Sequence, residues 1–369
     1  MKKITLKIFE TLIVNNMSSN NKVPSIASDN IKEFKIGKSY LYKLKDEHLI
    51  KIHIFFHNYF QKNIPLNNAS VGFIKNHSYL DFFEPHIKNY NFIRLDIRSF
   101  FHSIDIEDIR ETFKSYFEEI DIDKEKEQSI LDAFINIVTY EIPKDSLNDK
   151  FKGKRVLPMG FKTSPIISNI VFRQLDIQIQ KLCSEKNIIY TRYADDMLFS
   201  SSKDLLYIHS DGFIKEIRII IGQMSFKLNE HKTLKAKHTL SLNGYTIEYG
   251  KNELRLSNKK TDVIKKMICM ILKEEKAPNI ILKKLFNYKL KFKCNKNSYE
   301  KYNTEQLLHK VLGYRSYLLS VIQFNKKYQC TQEDTIEKYL SIIDDLEKIA
   351  EKYQIKIDEL EKIITKNKK

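Results

Sequence analysis

Two adjacent carboxylates end the stretch Tyr193-Ala194-Asp195-Asp196. The residues before it, Asn187 to Arg192, and after it, Met197 to Ser200, are rich in β-formers. That pattern predicts strand, tight turn, strand, with both acids at the tip of a hairpin. Neighbouring carboxylates repel, and no apolar contact gives them a reason to be there. A hard divalent cation such as Mg²⁺, which takes oxygen ligands, would relieve the repulsion. A third acid, Asp96, interrupts the apolar run Phe92-Ile93-Arg94-Leu95-Asp96-Ile97, which is predicted to be a buried strand. A carboxylate there is costly unless it meets a cation, either a metal or the side chain of Arg94 or Arg98. Asp344-Asp345 is a comparable acidic pair, but it falls in a helical pattern and is expected to be solvated.

The elements that must hold these acids follow from periodicity and turn residues. Residues 15–30 are rich in Asn and Ser and predict a loop. Phe34 to Leu44 is short, basic and β-prone. Leu49, Ile52, Phe55, Phe56, Tyr59 and Phe60 recur at helical spacing. His53 and His57 lie one turn apart on that helix, but no third ligand is nearby and no metal is expected there. Residues 69–78 form a basic loop containing Gly72. Asp105 and Asp108 suit the start of an amphipathic helix. Leu157 to Pro165 predicts a turn with Gly160 close to a ligand, then a helix with Ser164 as N-cap and Pro165 at its first position. Leu240 to Leu256 predicts a hairpin turning at Gly250-Lys251-Asn252.

The chain has 369 residues, 42% hydrophobic and 12% aromatic, enough for two or three domains with real cores. Its net charge of +16 favours a polyanionic partner, most simply nucleic acid. Residues 251–300 hold 14 Lys or Arg against 5 Asp or Glu, so more than half of the excess sits in about one seventh of the length. Phe286, Tyr288 and Phe292 interleave with those lysines, as suits a nucleic-acid backbone. Cys183, Cys269, Cys294 and Cys330 fit no zinc or redox spacing and predict free thiols in a reducing compartment. No membrane span and no convincing signal peptide are visible, so a cytoplasmic protein is expected.

In order along the chain, Arg94-Leu95-Asp96-Ile97-Arg98-Ser99-Phe100-Phe101, Leu157 to Asn169, Tyr193-Ala194-Asp195-Asp196 and Phe226 to Thr233 resemble the motifs of the reverse transcriptases, over roughly residues 34–325. Residues 69–78 and Leu312-Gly313-Tyr314-Arg315 are similar to stretches of the bacterial retron-type enzymes. Met159 stands where the family usually has Gln, and no Arg stands near Tyr40 where the family's fingers usually carry one.

The resemblance implies an α+β right-hand polymerase fold: an N-terminal extension over 1–33, fingers over 34–90, a palm over 91–250, a helical thumb over 251–330 and a C-terminal heptad helix over 331–369. It implies two Mg²⁺ ions held by Asp96, the backbone of Ile97, Asp195 and Asp196. It assigns Ile97, Arg98, Phe101, Met159, Gly160, Phe161 and Lys232 to the incoming nucleotide, with Phe101 excluding a 2′-hydroxyl. The implied activity is RNA-directed DNA synthesis from dNTPs on a dedicated structured non-coding RNA, in antiphage defence. An abortive-infection-type enzyme with atypical or untemplated synthesis and a catalytically silent RNA-binding module are the other readings. The tail residues Ile336, Tyr339, Ile343, Leu346, Ala350, Tyr353, Ile357, Leu360 and Ile364 keep an a/d repeat. That seam predicts either docking of an effector protein or a second copy, or packing back on the chain's own helices.

Overall fold

A helix, α1 (Leu6–Val14), precedes an antiparallel hairpin of β1 (Ile31–Ile36) and β2 (Ser39–Leu44). The computed structural model describes residues 3–14, 26, 28–37, 39–123, 128–288, 290 and 294–366. Most of the loop expected over 15–30, and Phe292, lie outside them. The chain divides into two units, Met1–Pro85 with Asn89–Ala236, and His86–Lys88 with Lys237–Lys369.

In the first unit, α2 (Glu47–Asn63) starts where the Asp46 carboxylate accepts the amides of His48 and Leu49. Its buried face of Leu49, Ile52, Phe56 and Phe60 matches the predicted stripe, with Phe55 and Tyr59 half-buried at the margin. Phe56 and Phe60 pack on Phe134, and Phe60 also on Phe113, at centroid distances of 4.9–5.5 Å. Each such buried ring contributes about 1.5–3 kcal/mol of transfer free energy. β3 (Asn91–Asp96) leads to α3 (Ile106–Phe113), capped by Asp105 as expected. After β4 (Asp121–Asp123) and β5 (Gln128–Ser129), α4 (Ile130–Val138) supplies Phe134. β6 (Tyr140–Glu141) and β7 (Arg155–Val156) then pair at the base of a long loop.

The helix after the Gly160 turn is α5 (Ser164–Glu185), and its cap differs from expectation. Thr163 occupies the N-cap position without a capping bond. Its hydroxyl is taken by His53 Nδ1 at 2.8 Å, and the Ser164 hydroxyl, already inside the helix, donates to the Pro158 carbonyl at 2.6 Å. Both hydroxyls therefore close the turn instead of the helix end. β8 (Ile189–Tyr193), β9 (Asp196–Ser201), α6 (Asp211–Gly222) and β10 (Leu234–Lys237) complete the unit. The central sheet has the order β10-β3-β9-β8, with β9 antiparallel to both neighbours. β3 and β9 are buried along nearly their whole length, which explains their unbroken apolar runs.

In the second unit the predicted single hairpin is a three-stranded meander of β11 (Thr239–Leu242), β12 (Tyr245–Glu248) and β13 (Glu253–Leu256). The additional turn is Asn243-Gly244, with φ of 51° and 89°, a pair suited to the tight turns that twisted hairpins need. Four helices follow: α7 (Asn258–Leu272), α8 (Pro278–Phe286), α9 (Lys296–Tyr328) and α10 (Glu333–Lys366). The heptad seam on α10 is not left open for a partner. Tyr339, Ile343, Leu346, Tyr353, Ile357 and Leu360 are buried against this unit, chiefly α9. Salt bridges Lys301–Glu361, Lys356–Glu300 and Arg315–Glu347, each 2.6 Å, fix the two helices antiparallel. The Tyr339 hydroxyl also accepts the Leu256 amide at 2.9 Å. Among the described residues, no helix is long and apolar enough to cross a membrane, and all four cysteines are free.

Candidate active site

Register brings the three acids together. Asp96 ends β3 directly opposite Asp196, the first residue of β9, while Asp195 sits in the β8–β9 turn. The Ile97 amide donates to the Asp195 carbonyl at 2.9 Å and locks the strand end to the turn. The segment after α6 runs along the far side of Asp96. The Asn229 amide donates to the Asp96 carbonyl at 2.7 Å and the Arg98 amide to the Lys227 carbonyl at 2.8 Å. Side chains continue the contact: Asn229 Nδ2 donates to Asp96 Oδ1 at 3.0 Å and Lys232 Nζ to Asp96 Oδ2 at 2.8 Å. Asn229 and Lys232 are three apart around one short helical turn, so both reach the same carboxylate.

Arg94 completes the charge balance. Its guanidinium donates to Asp96 Oδ2 at 3.1 Å, to the Lys232 carbonyl at 3.0 Å and to Asp196 Oδ1. Asp195 has no such partner: among the described residues, no Lys or Arg forms an ion pair with it. Burial first, then the charges of Asp196 and Asp96, push the Asp195 carboxyl up to about 6. Burial also raises Asp196, against the pull of Arg94. Three carboxylates with an unmet need for positive charge at Asp195 form a donor set that fits a hard divalent cation. Among the described residues no three His, Cys, Asp or Glu side chains already enclose a single point. Arg94 instead bridges Asp96 and Asp196.

The turn that carries Asp195 is built from below. Ala194 adopts a left-handed φ of 54°, unusual for a residue with a Cβ. Arg192, fully buried, holds it there by donating to the Ala194 carbonyl at 3.1 Å. The rest of that guanidinium bonds Asp176 at 2.7 and 2.9 Å, Asn169 at 3.1 Å and Ser70 at 3.1 Å. Loop 69–72 adds two backbone bonds, Arg192 N to Ala69 O at 2.6 Å and Val71 N to Arg192 O at 2.9 Å. Gly72 then passes so close that a Cβ would lie 2.9 Å from the Ala194 nitrogen. That approach is why the loop needs glycine there.

Above the acids lies a cavity of about 250 Å³. Of the residues singled out from sequence, Asp96, Ile97, Phe101, Met159, Asp195 and Lys232 line it. Phe101 is half-buried, edge-on to Phe100 at 5.3 Å, which itself stacks on Phe226 at 5.7 Å, so the wall is stiff. Gly160 and Phe161 are placed differently from expectation. The glycine is demanded by the fold, since a Cβ would lie 2.5 Å from the Tyr42 carbonyl, and Phe161 is buried edge-on against His53 at 5.0 Å. Arg98 is exposed beside the cavity. Residues that the sequence did not single out also line it, among them His102, Asn148, Lys150 and Asn229. Asn229 lies in the stretch Phe226 to Thr233 that resembles a family motif, though its role was not assigned; the other three had no signal.

An antiparallel sheet with acids on neighbouring strands, beside a cavity, suits the palm of a right-hand polymerase. Residues 38–247, more than half of the chain, match the reverse transcriptase (RNA-dependent DNA polymerase) family, and the chain belongs to that family. It is 33% identical over 39% of its length to the retron Ec73 reverse transcriptase of Escherichia coli, covering 43% of that protein. Identity to the retron Ec86 reverse transcriptase of the same organism is 28%, over 44% of either chain, and to the retron Ec83 enzyme 25%, over 58% of this chain and 65% of the other. The chain thus spans about half the length of the curated relatives it matches. A solved structure of telomerase from Candida albicans with a fragment of telomeric RNA is 10% identical, with a TM-score of 0.45 over 92% of this chain and 68% of the other, too distant to bear on activity.

Proposed function

We propose that this chain is an RNA-directed DNA polymerase of the retron type, which copies a dedicated structured non-coding RNA into DNA in antiphage defence. The observation that carries the reading is the convergence of Asp96 and Asp195 at the floor of a cavity walled by Phe101, with Asp196 paired directly opposite Asp96. In this reading β1 and β2 belong to the fingers, the β3-β9-β8 sheet is the palm, and α7 to α9 form the thumb. Two Mg²⁺ ions, held by Asp96, Asp195, Asp196 and the Ile97 backbone, would neutralise charge on the attacking 3′-hydroxyl and the leaving pyrophosphate. The chain's own residues do the positioning. Asn229 and Lys232 orient Asp96, and Arg94 balances the acids until the cation arrives. Arg98 and Lys232 face the phosphates, and Met159 the nucleotide. The lysines of 251–300 bind RNA through its backbone, and Lys310, just beyond that stretch on α9, lies over the Phe286 ring at 5.3 Å.

Sequencing the nucleic acid that copurifies with the protein tests the reading. One RNA joined to a complementary DNA is expected. DNA matching no template would instead establish untemplated synthesis, and RNA alone, with no primer extension by the purified protein, a silent binding module.

In this reading the Phe101 ring, which lines the cavity, clashes with a 2′-hydroxyl. Phe101→Ala is expected to shift single-nucleotide selectivity toward NTPs by at least about tenfold, the scale of a lost steric contact in an apolar pocket. An unchanged ratio of the dNTP and NTP efficiencies would show that the ring only packs.

A further inference from the structure

The loop between β6 and β7 carries a cation that no motif predicts. It is a built structure. Ile142 N bonds Lys154 O at 3.0 Å and Gly153 N bonds Ile142 O at 2.8 Å, closing its base. Ser146 Oγ donates to Glu33 Oε1 at 2.8 Å and Asn148 Nδ2 to the Tyr42 hydroxyl at 2.9 Å, fastening its middle to the β1–β2 hairpin. Lys150 projects from this loop into the cavity wall. Its Nζ donates to Ser99 Oγ at 2.7 Å and lies 4.9 Å from the centre of the Phe151 ring. Ser99, with φ of 53°, belongs to the sharp turn that follows Asp96.

Lys150 has no carboxylate partner among the described residues, and its charged neighbours are Arg98 and Lys154. Burial, then those two charges, hold its ammonium below the usual range. A cationic group kept among cations, at the edge of a cavity floored by acids, is suited to meet a multiply charged anion. The β1–β2 hairpin lends the cavity Ser39 and Tyr40, a hydroxyl and a phenol, and no cation among the described residues.

Resting on the polymerase reading above, we propose that Lys150, with Arg98, binds the triphosphate of the incoming nucleotide, supplying a charge to the cavity from the β6–β7 loop. The ammonium is a point charge that moves from Ser99 Oγ to non-bridging phosphate oxygens. The turn after Asp96 brings those oxygens near the acids, so the same contact orients the leaving pyrophosphate.

Two measurements test this. Inorganic tripolyphosphate is titrated calorimetrically, with magnesium chloride, into the wild type, Lys150→Ala and Lys150→Arg, which needs no catalysis. Lys150→Ala is expected to bind at least about tenfold more weakly, the scale of one charge-assisted hydrogen bond, and Lys150→Arg to recover most of the loss. Primer extension should show the KM for dNTP rising by a similar factor in Lys150→Ala, with primer–template affinity changed far less. Equal tripolyphosphate affinity in wild type and Lys150→Ala overturns the proposal. So does a raised KM without weaker tripolyphosphate binding, which would mean that the loop acts on sugar or base. A wild type that binds tripolyphosphate through Lys150 yet extends no primer would instead refute the polymerase reading alone.

Discussion

Asp195→Asn is expected to reduce Mg²⁺-dependent primer extension by orders of magnitude while RNA binding persists. The substitution keeps the shape of the side chain and removes the one carboxylate of the three that, among the described residues, forms no ion pair with Lys or Arg. In the proposed reading, binding to RNA rests on a different set of groups, the lysines of 251–300, and should keep its steep salt dependence. Extension at the wild-type rate would end the polymerase assignment. The raised Asp195 pKa gives a second readout. A carboxyl whose folded pKa, about 6, lies above its unfolded value of 3.8 favours the folded state in its neutral form. Its contribution is therefore present below about 3.8 and is lost as pH rises through about 6. The metal-free wild type should gain thermal stability relative to Asp195→Asn as pH falls through that window. Adding Mg²⁺ at pH 7 should stabilise the wild type and leave the variant nearly unchanged. Parallel pH curves for the two proteins would show that neither burial nor the neighbouring acids raise the Asp195 carboxyl.

Arg192→Met is expected to cost about 3–5 kcal/mol in denaturant unfolding, because it strands the buried Asp176 carboxylate and removes donors from Asn169, Ser70 and Ala194. The double variant Arg192→Met with Asp176→Leu should recover much of that stability, since an apolar pair of similar volume no longer buries a lone charge. Primer extension should not recover with it. The Ala194 carbonyl still lacks its donor, and the turn that holds Asp195 is free to relax from its left-handed conformation. Stability and activity restored together would mean that Arg192 supports the fold but not the turn. A single variant within about 1 kcal/mol of wild type would show the network to be dispensable.

Local signals carried much of the architecture. The β8–β9 hairpin and the buried β3 were legible because apolar runs bounded by turn residues leave few alternatives, and the α2 stripe because its spacing is helical. The β11–β12 turn was equally legible in Asn243-Gly244, a strong hairpin dipeptide, yet the stretch predicted one hairpin fewer than forms. The α10 repeat announced a covered face but could not say what covers it; the antiparallel match to α9 depends on charges such as Glu300 and Lys356 that lie far apart in sequence. Gly160 was expected beside a ligand and lies beside Tyr42, because glycine marks a close approach without naming the other party. Arg94 was a candidate partner of Asp96. Its bond to Asp196 follows only from the pairing of β3 with β9. Lys150 had no signal, since its position is set by a loop fastened through Glu33 and Tyr42.

The pairing of Asp96 with Asp196 also sets an order of events during synthesis. The two residues are 100 positions apart, so β3 is complete long before its partner exists. At about 5–20 residues per second, β3 waits on the order of 5–20 s for β9. Throughout that interval Phe92, Ile93 and Leu95 belong to a strand with an open edge. α2, α3 and α4, made before β8 and β9, can collapse around Phe60, Phe113 and Phe134 within that time. The acid cluster is therefore a late product of folding, and its mutual repulsion is met only after the helical part of the core has formed. A chaperone that shields β3 on the ribosome would protect the one strand whose early aggregation would prevent the site from ever forming.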